Sequence, residues 1–344
     1  MKKKIIHLII GAVLFVTGGI YTKELAFAEA MNFTVKAILP ENQISDSTYF
    51  DILTSQNKQQ DISLEISNLS DKTISIVIAP HDAYTNDNGV ISYDKEDVFL
   101  SKKIPFKFTD LISKKKTVYL NPNEKKIVSF QLKMPKERFS GYILGAFSIK
   151  EENNGKTNVG AEIDNKTKKN VAISNEFMYT LGIRIREDEQ KISPNVSLVS
   201  VKPHIVSNKP AIVSQLVNEA PEIISGIKVE GVVYKDNKEI YKLTKKKISM
   251  APFSYFNFAI DTNNKELQSG SYKVKLKVNN DEKEWKFEKE FKIKGQEANK
   301  INKQSIGLEK EAFNAWYITI GIAILCLILL VILITVILKN RSSK

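Results

Sequence analysis

Cysteine is nearly missing from this chain: of 344 residues only Cys326 is one, and it lies inside a hydrophobic segment near the C-terminus. No disulfide can therefore staple the remainder, which has to hold together by core burial. Domains of about 100 to 160 residues are large enough for that. Histidine is almost as scarce, with three copies. His7 falls in the N-terminal hydrophobic region, while His81 and His204 stand far apart with no cysteine and no Glu-x-x-His spacing near them. That excludes the usual zinc-site patterns, and no metal or cofactor site is expected. No Gly-x-Ser-x-Gly elbow and no cysteine–histidine couple is present for nucleophilic catalysis, so no catalytic residue is assigned. A dense basic stripe is also lacking. The formal charge is +12, but +3 sits in the first 28 residues and +3 in the last six, leaving +6 spread over nearly 290 residues. Nucleic acid is not an expected partner of so dilute a surface. A solvated lysine-rich exterior explains it better than a site for anionic wall polymers.

Long apolar runs are confined to the two ends. Met1-Lys2-Lys3-Lys4 precedes an apolar stretch from Ile5 to about Val16, and the small-residue exit Ala26-Phe27-Ala28 follows. This predicts a signal peptide over 1–28, cut after Ala28. The second run, Ala315 to Leu338, holds 24 residues without a charge, 16 of them Ile, Leu or Val. At about 1.5 Å per residue it reaches roughly 36 Å, enough for a hydrocarbon core of about 30 Å. It is expected to be a transmembrane helix over 315–338, with Trp316 and Tyr317 at one interface and Lys339 and Arg341 at the other. The positive-inside bias then puts 339–344 in the cytoplasm as a short tail, and the body of the chain outside the cell. A tail of six residues is too small to signal. No LPxTG-like run precedes the helix.

Between the two runs, apolar and polar residues alternate in short stretches, the mark of strands with one buried face. Phe33 to Leu39, Lys126 to Met134, Gly141 to Lys150 and Glu176 to Arg186 read as strands. Ile62–Ser67 and Ile74–Ile78 read as a hairpin turned by Asn68 to Lys72. Seven further strands are spaced from Val196 to Ile293. The fold class expected is all-β: two consecutive β-sandwich domains of immunoglobulin-like type, over 29–190 and 191–295. A juxtamembrane stalk over 296–314 would follow. Val159 to Lys169 reads as an exposed loop, and the lysine runs at 114–116 and 245–247 as solvated residues beside turns.

Several residues invite a chemical reading. His81-Asp82 suggests a general base but is better explained as an ordinary loop pair. Asn86-Asp87-Asn88-Gly89 lacks the ligand spacing of a calcium loop and reads as a turn, with Asn88-Gly89 leading into Val90 to Tyr93. A carboxylate pair for glycoside hydrolysis needs a separation that sequence does not supply. Tyr49, Phe50, Tyr84 and Tyr93, and the aromatic run Phe253 to Phe256, could stack on sugars or anchor a partner, although strand aromatics more often fill cores. The candidate ligand or partner contacts are Tyr84, Asn86, Tyr93, Phe253 and Tyr255. Trp285, in an alternating strand, is expected in the core.

The order of motifs also resembles a known family. Phe33-Thr34-Val35, Pro40-Glu41-Asn42-Gln43, Tyr49-Phe50-Asp51-Ile52, Tyr84-Thr85-Asn86 with Gly89 and Tyr93, and Pro135 followed by Phe139 to Gly145 resemble the first domain of WxL-interacting proteins. Met250-Ala251-Pro252-Phe253-Ser254, Gly270-Ser271-Tyr272, Trp285 to Ile293 and Ala298 to Asn302 are similar to that family's second domain. Phe253 departs from the Asn usual after Met-Ala-Pro. The resemblance implies a Gram-positive surface protein with a peptidoglycan-binding domain followed by a host-binding domain, made alongside a secreted WxL-domain partner. Neither tryptophan is followed by residue-plus-Leu, so the chain is not itself a WxL protein. The expected function is non-catalytic binding of peptidoglycan, with retention or display of the WxL partner at the membrane-to-wall interface. An adhesin for host matrix proteins is the alternative, and a cell-wall glycan hydrolase a remote one.

Overall fold

The computed structural model describes residues 31–152, 177–309 and 316–341, with side chains of the last stretch described over 320–332. The expected signal peptide, with Ala26 and Ala28, and the polar stretch 159–169 lie outside the described residues.

The first sandwich comprises β1 (Phe33–Ile38), β2 (Phe50–Leu53), β3 (Gln59–Asn68), β4 (Ile74–Asp82), a small ribbon of β5 (Tyr84–Thr85) and β6 (Ile91–Ser92), a helical turn α1 (Phe108–Leu111), β7 (Lys116–Leu120), β8 (Lys125–Lys133), β9 (Ile143–Glu151) and β10 (Met178–Arg186). One sheet has the order β1-β3-β8 and the other β2-β10-β9-β4-β7. Alternation decides which face is buried: Ile62, Leu64 and Ile66 of β3 point inward, while Ser63 between them bonds Ser129 of β8 across the outer face at 2.8 Å. Ile76 and Ile78 of β4, Phe147 and Ile149 of β9 and Ile185 of β10 meet them from the second sheet. The rings of Phe130 and Phe147 join the two layers at 4.7 Å between centroids. Each such side chain contributes about 1.5–3 kcal/mol by leaving water, which is how a domain with no disulfide is held.

The second sandwich comprises β11 (Val196–Val206), β12 (Lys209–Asn218), β13 (Ile224–Lys235), β14 (Lys238–Met250), β15 (Tyr255–Asp261), β16 (Gly270–Asn279) and β17 (Glu284–Ile293). Its sheets have the orders β11-β12-β15 and β14-β13-β16-β17, all antiparallel. Gly231 makes room in the middle of β13, where an added Cβ would stand 2.5 Å from the Phe258 ring. Trp285 is buried in this core.

Three local expectations change. β3 and β4 are not a hairpin but belong to opposite sheets, so Asn68 to Lys72 is an arch over the end of the sandwich. The buried Asn68 amide makes that arch possible by donating to the carbonyls of Lys72, Leu120 and Asn121 at 2.7, 3.2 and 2.9 Å, while its oxygen accepts from the Ser70 N–H at 2.9 Å. Lys245-Lys246-Lys247 lies within β14, an edge strand, where lysines discourage pairing with another chain. The stretch expected to be a stalk begins as helix α2 (Gly295–Gln304), which buries Ala298 and Ile301 in the second core.

Beyond it, α3 (Trp316–Arg341) runs 26 residues. Its described side chains are exposed and apolar on every face, among them Ile324, Leu327 and Leu330. The part of α3 with described side chains, 320–332, is too short to make a span by itself, so among the described residues no helix is long and apolar enough to cross a membrane.

Candidate functional site

The segment after β4 leaves the first sandwich and closes onto the second. Asn86 shapes it: its side-chain oxygen accepts from the N–H groups of Asn88 and Val90 at 2.9 and 3.1 Å, and its amide donates to Ser92 Oγ at 2.7 Å. Gly89 takes the positive φ of +79° at the turn. It also needs to be glycine for space, since a Cβ there would lie 2.8 Å from Ile248 of β14. The Gly89 carbonyl accepts from the Ser249 N–H at 2.8 Å, and the Asp87 carboxylate accepts from the Asn257 amide at 3.0 Å.

At the centre of this clasp the buried Thr85 hydroxyl accepts from the Ala251 N–H at 3.0 Å and bonds the Ser254 hydroxyl. Ser101 donates its N–H to the Phe253 carbonyl at 2.7 Å, and Tyr142 donates its N–H to the Pro221 carbonyl at 2.7 Å. The contact is therefore a set of specific backbone and hydroxyl bonds in a largely buried junction.

The sequence-nominated residues divide between this clasp and a second feature. Tyr84 is buried in the clasp; its hydroxyl donates to Asp94 at 2.7 Å, and burial, reinforced by Asp94, pushes the phenol up to about 12. Phe253 is buried at the junction with φ of +54°. Tyr255 stacks on Phe99 of the first sandwich with ring centroids 5.0 Å apart. Four of the five nominees, Tyr84, Asn86, Phe253 and Tyr255, thus come together where the domains meet. Tyr93 stands apart, close to Tyr49, and burial, then Tyr49, pushes its phenol up to about 12. Among the anchor residues, Trp316, Tyr317, Lys339 and Arg341 lie in α3, and their side chains are outside the described set.

His81 and Asp82 are at the end of β4 and not in a loop. His81 is buried with its ring nitrogens 2.9 Å from the Lys95 carbonyl and 2.8 Å from Ser148 Oγ, and Asp82 accepts from the Thr109 N–H and hydroxyl at 3.0 and 2.7 Å. Both are fully engaged in holding loops to the sheet. Among the described residues no group of three or more His, Cys, Asp or Glu could hold a metal ion.

The second feature was not singled out from sequence. β2 runs parallel to β10, which brings Asp51 beside Arg184 on the outer face of the five-stranded sheet. Ile183 and Ile185 fill the core, so Arg184 and Arg186 must point outward. Asp51 is fully buried and bound by both: Arg184 donates through Nε at 3.0 Å and through Nη2, and Arg186 Nη2 lies 3.2 Å from each carboxylate oxygen. Burial alone would raise the Asp51 pKa, but the Arg184 hydrogen bond, the Ser45 hydrogen bond and the two positive charges hold it below the ordinary value. Arg184 lies against the rings of Tyr49 and Tyr142 at 6.0 and 5.1 Å, and Arg186 donates to the Tyr142 hydroxyl at 3.0 Å. The signal available in sequence was the Ile-Arg-Ile-Arg alternation at 183–186 and an Asp inside an otherwise apolar strand.

Comparison with family models gives two matches in order. Residues 33–151 match the peptidoglycan binding domain of WxL Interacting Proteins, and residues 168–303 match the host binding domain of the same proteins. The chain belongs to the WxL-interacting protein family. Its two domains make it a binding protein of the cell surface. The second match begins before β10, yet β10 pairs with β2 and β9, so the strand bearing Arg184 and Arg186 completes the first sandwich of this WxL-interacting protein. Similar solved structures include the E. coli chaperone DraB, 12% identical over 76% of this chain and 95% of that one with a TM-score of 0.28. Another is the CsuC–CsuE chaperone–subunit complex of Acinetobacter baumannii, 8% identical over 66% and 90% with a TM-score of 0.29. No curated protein matches the chain.

Proposed function

We propose that this WxL-interacting protein is a non-catalytic, membrane-anchored scaffold that grips peptidoglycan through its first sandwich and retains a secreted WxL-domain partner at the cell surface. The observation that carries the reading is the clasp: two family-matched binding domains are joined by hydrogen bonds through Thr85, Gly89 and Ser101 into one two-domain body. Such a body can hold two ligands at a fixed separation, which a pair of domains on a loose tether cannot. The anchor rests on the uncharged run 315–338 and on the exposed apolar side chains that α3 presents all round, a surface that water does not favour. With the anchor, the site is the cell membrane, single-pass, with the body outside and the C-terminus inside.

The test expresses the full chain with and without a WxL-domain protein. Alkaline carbonate should leave the chain in the membrane fraction, purified sacculi should sediment it, and the WxL protein should co-purify with it. Release by carbonate would remove the anchor, and failure on both sacculi and partner would remove the scaffold. The host-binding match favours a second reading, in which the second sandwich binds host matrix proteins. Retention of the chain on immobilised fibronectin or collagen would support it, and its absence on both would count against it.

A further inference from the structure

The cluster of Asp51, Arg184 and Arg186 has donor capacity that its own contacts do not use. One carboxylate of the first sandwich is answered by two guanidinium groups, and a further carboxylate within electrostatic reach of both is Glu222 of the second sandwich. The Asp51 carboxylate is fully buried, whereas the Arg184 and Arg186 side chains keep 23% and 13% of their surface in contact with solvent. The anion is therefore the inner, fixed member and the cations are the outer members. Arg186 Nε is buried and has no hydrogen-bond partner. Tyr142 contacts both guanidinium groups and Tyr49 the outer one, which fixes their planes before any ligand arrives.

We propose that Arg184 and Arg186, positioned by Asp51 and walled by Tyr49 and Tyr142, bind a carboxylate of the peptidoglycan stem peptide. The assignment rests on the reading that the first sandwich binds peptidoglycan. Oriented guanidinium groups match a carboxylate through paired N–H donors, and aromatic rings beside them accept the apolar faces of sugar or alanine groups. Glu222, from the second sandwich, lies near enough for both arginines to draw its pKa down against the larger upward effect of burial. The second sandwich thus borders the cluster, and a ligand there would touch the two-domain unit at its junction.

The experiment uses the full chain in detergent and a soluble disaccharide-tetrapeptide, with its carboxyl groups either free or amidated. The free form should bind at least about tenfold more tightly than the amidated form. Arg184→Gln should abolish that preference, and Tyr142→Phe, which keeps the ring and loses only the hydroxyl, should weaken the free form severalfold. Equal binding of the two peptide forms by the unmodified chain would overturn the assignment and needs no variant to fold. So would an Arg184→Gln chain that unfolds normally and keeps the preference, or binding of a teichoic-acid polymer that the free peptide does not displace. Sacculus binding is read separately: if it is present without carboxyl preference, only this site falls. If the unmodified chain sediments with no sacculi, the peptidoglycan reading falls and the site with it.

Discussion

At the scale of single residues, two asparagines do the same work in the two domains. Asn68 ends β3 and Asn218 ends β12, and each is buried where the chain arches from one sheet to the other. The Asn218 amide donates to the Glu222 and Ala251 carbonyls at 2.7 and 3.0 Å, and its oxygen accepts from the Ala220 N–H at 2.9 Å. Asn218→Ala would take the side-chain partner from the Ala220 N–H and the Glu222 carbonyl, while the Ala251 carbonyl keeps the Ser254 hydroxyl at 2.9 Å, so a loss of about 1–3 kcal/mol is expected in urea unfolding. Charge gives a second prediction, in which Asp51 and Glu222 respond to pH with opposite sign. Asp51 has a folded pKa below 3.8, so its contribution is present above that value and lost as pH falls through the lower, folded one. Glu222 is raised above 4.5 by burial, so its contribution is full below that value and is lost as pH rises through the folded one. Glu222→Gln should therefore raise the unfolding temperature slightly at neutral pH, with the gain vanishing below about pH 4. Asp51→Asn should cost about 3 kcal/mol at pH 7, since it leaves two part-buried guanidinium groups without their anion. Thermal unfolding of the three proteins across this range checks both signs.

At the scale of elements, the β5–β6 ribbon is too small to be stable alone and exists because it docks. Gly89→Ala forces an L-residue to φ of +79° and presses a methyl to 2.8 Å from Ile248. A destabilisation of about 1–3 kcal/mol is expected, and the connection at 187–195 should become faster to cut by protease as the clasp opens. An unchanged cleavage rate would mean that the ribbon does not control the junction. The longer strands were legible in the sequence because β1, β3, β8 and β16 each bury one face, and alternation reports that directly. The arch at Asn68 was not, because a polar turn between two apolar runs looks the same whether the chain reverses within a sheet or crosses to another. β2 and the ribbon, at four and two residues per strand, are too short for a period to show. The tyrosines nominated as contacts were visible, but their closure onto a second domain depends on bonds such as Thr85 to Ala251, separated by 166 residues. For the arginine cluster, alternation turns Arg184 and Arg186 outward, yet nothing local pairs them with Asp51, more than 130 residues earlier.

At the scale of the whole molecule, the second sandwich does not end with its last strand. α2 lays Ala298 and Ile301 into the core, and Asn302 trades hydrogen bonds with Leu267, donating to its carbonyl at 2.9 Å and accepting its N–H at 2.8 Å. The chain then stays on the domain: Ile306 donates its N–H to the Asn208 carbonyl at 2.9 Å, and Glu309 to that of Asn264 at 2.8 Å. Only residues 310–315 separate that point from α3, a span of at most about 25 Å. The turns at Asn208 and Asn264 must therefore lie close to the start of α3, and the clasp carries that placement on to the first sandwich. If α2 belongs to the core, shortening the chain should be costly in one place only. Ending it after Glu309 should leave the urea midpoint of the second sandwich unchanged. Ending it after Lys294 removes Ile301 and Asn302, and should lower its stability by about 3–5 kcal/mol, the usual scale for emptying a large apolar site. Equal stability of the two truncated chains would make α2 a spacer, and would free the distance between the binding domains and α3 that the fold otherwise sets.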